Sequence, residues 1–179
     1  MNKINPWHDI SPDTESKNVV RAIIEIPKDS TIKYELDKDS GLLKLDRFLY
    51  SAVYYPGDYG FIPQTLWDDG DPSDIIILTS RPVYPLTLVN ARIIGVVRMI
   101  DGGEKDDKIL AVYDNDPRFK EINDINDLQN HIILELRHFF ETYKELQGKK
   151  AIVPEILSKS HALKDIEKAK QMYKEKFLK

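Results

Sequence analysis

The stretch Val19-Val20-Arg21-Ala22-Ile23-Ile24-Glu25-Ile26 alternates with a period of two. Val20, Ala22, Ile24 and Ile26 fall on one face and Arg21, Ile23 and Glu25 on the other, as in a β-strand. Downstream, Ile32 to Leu36 reads as a short strand with Lys33 and Glu35 on the same side. Asp37-Lys-Asp-Ser-Gly41 supplies turn chemistry, and Leu42 to Phe48 completes a hairpin. Further strands are expected at Ile75 to Thr79, Leu88 to Ile100 and Ile109 to Val112. Short strands at this spacing predict a closed or nearly closed β-barrel rather than alternating βαβ units. From Asp127 the period changes: Leu128, Ile132, Leu136, Phe139, Tyr143 and Leu146 follow helical spacing, with Asn126 as the expected N-cap and Gly148 as the stop. Leu163, Ile166, Tyr173 and Phe177 outline a second, lysine-rich amphipathic helix. The reading is one α+β domain over residues 1–179, without internal repeats.

Composition narrows the function classes. The chain has 179 residues, 41% apolar and 31% charged, and a net charge of −4. That apolar content opposes disorder, and the mild acidity argues against a nucleic-acid or anionic-membrane binder. The absence of cysteine excludes disulfides, zinc thiolates, iron–sulfur clusters and thiol nucleophiles. No stretch near the N-terminus has signal-peptide character, and no run approaches the ~18 apolar residues of a membrane span. A cytoplasmic globular protein is expected.

The chemistry concentrates in Asp68-Asp69-Gly70-Asp71-Pro72-Ser73-Asp74, which runs directly into Ile75-Ile-Ile-Leu78. Two ionised carboxylates ~4 Å apart repel by about 4 kcal/mol at an effective dielectric of ~20. A solvated loop would splay them outward. Here Pro72, Gly70 and an apolar strand directly after the turn make a rigid bend that holds them together, where cations must neutralise them. Hard oxygen donors without neighbouring His or Cys point to Mg²⁺, Mn²⁺ or Ca²⁺. An EF-hand fails on counting: from Asp69, the sixth and twelfth positions are Asp74 and Ser80, not glycine and glutamate. Asp101-Gly-Gly-Glu-Lys-Asp106-Asp107 alone would be a charged hairpin turn; beside the first cluster it offers ligands for a second or third ion. Lys33, Arg47, Lys108 and Lys144 are candidates for the phosphate oxygens that metals leave uncovered. Tyr55 and Tyr59, in the Gly/Pro-punctuated loop Tyr54 to Phe61, are candidate phenolic donors or packing residues. Tyr143 is expected on the apolar face of the long helix.

Asp69-Gly-Asp71-Pro-Ser-Asp74 closely resembles the D-x-D-P-x-D signature of soluble family I inorganic pyrophosphatases, of the prokaryotic type. Glu25-Ile-Pro27, Lys33-Tyr-Glu35, Asp46-Arg47, Tyr55-Pro-Gly-Asp-Tyr59-Gly60, Gly95 to Asp101 and His138 to Lys144 follow in the family's order. The match covers roughly residues 19 to 150. The resemblance implies a small five-stranded OB-like β-barrel flanked by two or more helices. It also implies Mg²⁺-dependent hydrolysis of pyrophosphate to two orthophosphates by in-line attack of a metal-bridged hydroxide, with three to four Mg²⁺ per active site. On that resemblance Asp69, Asp74 and Asp106 would ligate the first ion, and Asp74 would also reach a second. Asp101 and Asp106 would hold a third, Glu35 would help position a fourth, and Glu25 would order metal-bound water. Asp71 would be the general base. Lys33, Arg47, Tyr59, Lys108, Tyr143 and Lys144 would bind phosphate, with Lys33 and Arg47 also catalytic, and Tyr55 would tune the acid network. The lysine-rich C-terminal helix matches the family pattern poorly. Bacterial members of this length imply a homohexamer, with His138 at a subunit contact. The alternatives weighed are an OB-like binding module, which would favour a basic groove with stacking aromatics, an inactive homologue, and a sugar-nucleotide transferase using a D-x-D motif.

Overall fold

The computed structural model describes residues 4–178. Its strands, in chain order, are β1 (Val19–Ile26), β2 (Ile32–Leu36), β3 (Leu43–Phe48), β4 (Asp58–Phe61), β5 (Asp74–Leu78), β6 (Leu88–Val97), β7 (Ile100–Asp101), β8 (Glu104–Lys105), β9 (Lys108–Tyr113), β10 (Ala151–Ile152) and β11 (Ile156–Ser158). The α-helices are α1 (Asn130–Thr142) and α2 (Lys159–Phe177).

β1, β4, β5, β9 and β6 hydrogen-bond in that order, and β6 pairs back to β1, closing a five-stranded barrel. Closure removes the free edges that an open sheet would expose. β11 extends β6 along Gly95 to Val97, whose strand edge β1 does not reach. All barrel pairs are antiparallel except β5 with β9, which run parallel. The strand Ile75–Leu78 is an unbroken apolar run and is buried throughout, as expected where both faces of a strand are covered. β1 is likewise buried on both faces: Val20, Ala22 and Ile24 pack with Ile75 and Ile93, whereas Ile23 packs with Trp7, Phe61 and Tyr173. Gly60 is required in β4, because a Cβ there would lie 1.9 Å from the carbonyl oxygen of Ile23.

Several sequence expectations shift. The segment Asp58–Phe61, read as part of a loop, is a fully buried central strand; its glycine conceals strand character because close backbone packing, not propensity, selects it. The long strand ending at Ile100 stops at Val97, and Ile100–Asp101 instead forms a hairpin with Glu104–Lys105 through Gly102 and Gly103, both at positive φ. Asn126 is not the cap of the long helix. Asp124 caps a short 3₁₀ turn over Ile125–Asp127, Leu128 is extended, and α1 begins only at Asn130. At its other end α1 stops at Thr142, a second 3₁₀ turn spans Glu145–Gln147, and Gly148 terminates that turn at φ 70°. Leu146 is therefore solvent-facing rather than part of the apolar stripe. α2 appears where expected, burying Ala162, Ile166, Ala169 and Tyr173 against β6 and the N-terminal segment, with Phe177 partly exposed.

Candidate active site

The acidic turn 68–74 precedes β5, and the hairpin 101–107 precedes β9. Because β5 and β9 are parallel and in register from Ile75 with Ile109, both turns reach the same end of the barrel, and Asp74 lies beside Lys108. This pairing brings together acids 32 positions apart in the chain (Asp106 and Asp74). The turn is built locally: the Trp67 N–H donates to the Asp71 carbonyl (2.7 Å), Gly70 sits at φ 88°, and the Asp71 N–H donates to Asp69 Oδ1 (2.9 Å). The β2–β3 hairpin forms a second wall, with Lys33 directly across from Arg47. The break after α1 supplies Tyr143 and Lys144.

A cleft of about 250 Å³ opens between these walls. Of the residues singled out in the sequence, Glu25, Lys33, Glu35, Tyr55, Tyr59, Asp69, Asp71, Asp74, Asp106, Lys108, Tyr143 and Lys144 line it. Arg47 and Asp101 do not. Arg47, across the β2–β3 pair from Lys33, is paired to Asp46 (3.2 Å) and donates to the side-chain oxygen of Gln147 (3.5 Å), while Asp101 joins the cleft through an ion pair with Lys144.

Charge in the cleft is interleaved. Lys108, 2% exposed, pairs with Asp74 at 2.6 Å and also with Asp106. Burial by itself would lower its pKa, but the two carboxylates outweigh that and hold the ammonium charged. Lys33 pairs with Glu35 and lies 3.4 Å from Asp46; Lys38 pairs with Asp71. Among the described residues no three carboxylates form a ready cage around one point, because lysines stand between them. Ammonium groups and hard divalent ions compete for the same oxygens, and the donor set of carboxylates alone fits Mg²⁺ or a similar ion.

Other groups are pushed toward their neutral forms. Burial raises Glu25 to about 8, opposed by the Leu36 N–H that donates to its Oε1 at 2.6 Å and reinforced by the charge of Asp74. Burial also raises Asp69. Tyr55 and Tyr59 are held well above the usual phenol range, again mainly by burial, so both remain hydroxyl donors; the Tyr59 hydroxyl is hydrogen-bonded to Asp74. Tyr143 is raised for the same reason, with the charges of Asp106 and Asp101 adding to it. These tyrosines form one aromatic floor: Tyr55 contacts Tyr59 edge-on, and Phe139 lies tilted against Tyr55 and stacks on Tyr143.

The structure adds two wall residues that the sequence did not point to. Trp7, 5% exposed, is anchored by its indole N–H to the Thr65 carbonyl (2.9 Å). Lys38 Nζ lies 5.1 Å above the Trp7 ring. The neighbouring His8 bonds the Tyr173 hydroxyl of α2 through Nδ1 at 2.7 Å, so the N-terminal segment and the C-terminal helix are fastened to each other beside the cleft. No local signal announced Trp7, because its partners are 58 and 166 positions away (Thr65 and Tyr173).

A family model described as inorganic pyrophosphatase matches residues 22–174. The chain belongs to the inorganic pyrophosphatase family. It is 45% identical over 174 residues to soluble inorganic pyrophosphatase 2 of Chlamydomonas reinhardtii, covering 97% of this chain and 91% of the relative. It is 47% identical to soluble inorganic pyrophosphatase 3 of Arabidopsis thaliana, covering 97% and 81%. Among solved structures, that of the Thermus thermophilus inorganic pyrophosphatase superposes with a TM-score of 0.92 at 39% identity, over 96% of this chain and 99% of that one. The Helicobacter pylori inorganic pyrophosphatase gives 0.86 at 41% identity, over 90% and 96%. The likeness thus extends beyond residues 19 to 150 and takes in α2, the part whose sequence fitted the family pattern least. No helix of the described residues is long and apolar enough to cross a membrane.

Proposed function

We propose that this inorganic pyrophosphatase family member hydrolyses inorganic pyrophosphate to two orthophosphates in the cleft at the β5–β9 end of the barrel. The observation that carries the reading is the interleaving of carboxylates with lysines and buried tyrosine donors around one small open cleft. Such a lining suits a small polyanion delivered with divalent cations, and its carboxylates would repel the backbone of an oligonucleotide that an OB-like binding module would hold in a basic groove. An inactive homologue is disfavoured because each proposed position carries a side chain able to perform its role.

Asp69, Asp74 and Asp106 would hold a first Mg²⁺, Asp74 would be shared with a second, Asp101 and Asp106 would serve a third, and Glu35 a fourth; Glu25 lies behind them as an outer carboxylate. When bound, such ions neutralise phosphate charge and lower the pKa of coordinated water. The chain's own residues do the rest. Asp71 orients the attacking water and takes its proton at a carboxylate oxygen. The water oxygen bonds to one phosphorus as the bridging P–O bond breaks, and its electron pair leaves with the second phosphate. Lys33, Lys144 and the Tyr143 hydroxyl receive the charge that develops there, and Arg47, across from Lys33 and outside the cleft lining, adds its charge at longer range; Lys108 and Tyr59 steady the phosphate under attack, and Tyr55 holds the floor beneath it. In phosphoryl transfer this positioning and electrostatic stabilisation supply most of the acceleration.

We propose further that the enzyme acts as a single-domain subunit of a cytoplasmic homohexamer. Large exposed side chains such as Phe48, Tyr54 and Tyr84 support assembly, since a subunit contact would cover them. Phosphate release from pyrophosphate, followed colorimetrically with and without Mg²⁺, tests the main reading. Release only with Mg²⁺ is expected, and no release under either condition would refute it.

A further inference from the structure

Behind the acidic turn, on the side away from the cleft, lies a recess of about 10 Å³ lined by Trp67, Ser73, Val96, Asp107, Ile109 and Asp165. Three buried polar atoms in this lining have no hydrogen-bond partner: Trp67 Nε1, Ser73 Oγ and Asp165 Oδ2. Ser73 is 6% exposed, and its backbone groups are already committed, the N–H to Thr65 Oγ1 and the carbonyl to the Ile62 N–H. Asp165 Oδ2 sits 2.7 Å from Arg98 Nη1 as an ion pair, and a carboxylate oxygen so paired keeps a further lone pair with which to accept. Leaving the indole N–H and the hydroxyl buried without partners forfeits their hydration with nothing in return.

We propose that this recess holds one structural water molecule, which acts as a bolt between the acidic turn and helix α2. The volume is at the lower bound for a single water, and the partners number three, typical of a buried water. The chemistry selects the occupant. An indole N–H facing inward opposes a cation, and the Asp165 and Asp107 carboxylates oppose an anion. A water accepts from Trp67 Nε1, donates to Asp165 Oδ2 and exchanges a hydrogen bond with the Ser73 hydroxyl.

Its position gives it a role. Ser73 immediately precedes Asp74, and Trp67 opens the turn that carries Asp69 and Asp71. On the far side Arg98 pairs with both Asp165 (2.7 Å) and Asp107 (2.6 Å), and Asp107 also accepts from the Met99 N–H at 3.0 Å. Asp107 immediately follows Asp106. The water therefore completes a polar chain from one acid-bearing turn through α2 to the other, and Trp67 and Ser73 are positioning residues for the carboxylates of the cleft. This role rests on the ion-binding reading above, whereas the water itself does not.

Crystals of the metal-free wild-type protein test the site directly. Density for one water within about 2.7–3.2 Å of Trp67 Nε1, Ser73 Oγ and Asp165 Oδ2 is expected, and a recess without it overturns the proposal. Calorimetric Mg²⁺ titration of Ser73→Ala and Trp67→Phe tests the role. Each is expected to weaken Mg²⁺ binding by about tenfold, the low end for partners behind metal ligands. Because both act through one molecule, the double variant is expected to lose little beyond either single change. Unchanged affinity, or fully additive losses, overturns the role. Wild-type protein that binds no Mg²⁺ would instead strike the ion-binding reading, and the crystals would still decide the water.

Discussion

The antiparallel pair β4–β5 carries an aspartate at each end, and the two live in opposite environments. Asp58, opposite Ile77, is fully buried. Its carboxylate accepts from the Lys28 N–H (2.7 Å), the Val83 N–H (3.2 Å) and the Tyr113 hydroxyl (2.6 Å). Burial pushes its pKa up, and these donors only partly offset that. Asp74, opposite Phe61, is partly open to the cleft and shares one lysine with Asp106. Fixed neutral donors fill the lone pairs of Asp58 and make it part of the scaffold. Asp74 has an ionic partner that a divalent ion can displace, and it faces a space where a substrate can enter.

That contrast can be broken from the acidic end first. Lys108→Met leaves Asp74 and Asp106 facing one another without their shared cation. Urea unfolding of the metal-free variant should show a loss of about 3–5 kcal/mol, the range for removing one partner of a buried pair, with partial recovery in Mg²⁺. An undiminished midpoint would mean that the lysine does not hold this end together. Asp71→Asn should keep the fold, since the turn uses Asp71 through its backbone, yet lower kcat by at least ~100-fold. Near-normal turnover would remove Asp71 from the role of base.

At the scaffold end, Tyr113→Phe deletes one donor to a buried carboxylate. Thermal or urea melts should report a cost of about 1–3 kcal/mol, while kcat per folded molecule stays unchanged. A kcat defect would show that the two ends are coupled. The remaining effect concerns pH. Glu25 titrates near 4.5 when unfolded and near 8 in the native protein, so over that window the native state binds the extra proton. Its contribution is present in full below 4.5 and is lost as pH rises toward 8, with a slope of up to about 1.4 kcal/mol per pH unit in metal-free protein. Glu25→Gln should flatten that slope; a profile identical to wild type would contradict the burial of this carboxyl.

Much of the architecture could be read locally. The alternation of Val19 to Ile26, the hairpin around Gly41 and the helical spacing after Asp127 all appear as elements, because side-chain period reports which faces are covered. The reading failed where packing overrode local preference. Tyr59-Gly60-Phe61 became a central strand because glycine admits a neighbouring backbone, and Tyr143-Lys144 became a helix break rather than helix interior. Most of the proposed site residues were recognisable by type and motif, but Trp7 and Lys38 were not, since their cleft role depends on contacts made across the fold.

What the sequence determined by itself was the inventory: which segments alternate, which turn gathers four carboxylates within seven residues, and which family those residues resemble. Only the tertiary structure decided that the turn before β5 and the hairpin before β9 share one barrel end, and that Trp67, Ser73 and Asp165 share one recess. The physical reason is that periodicity records the burial of each segment separately, whereas the parallel β5–β9 register arises from closing the barrel. Closure depends on every strand at once.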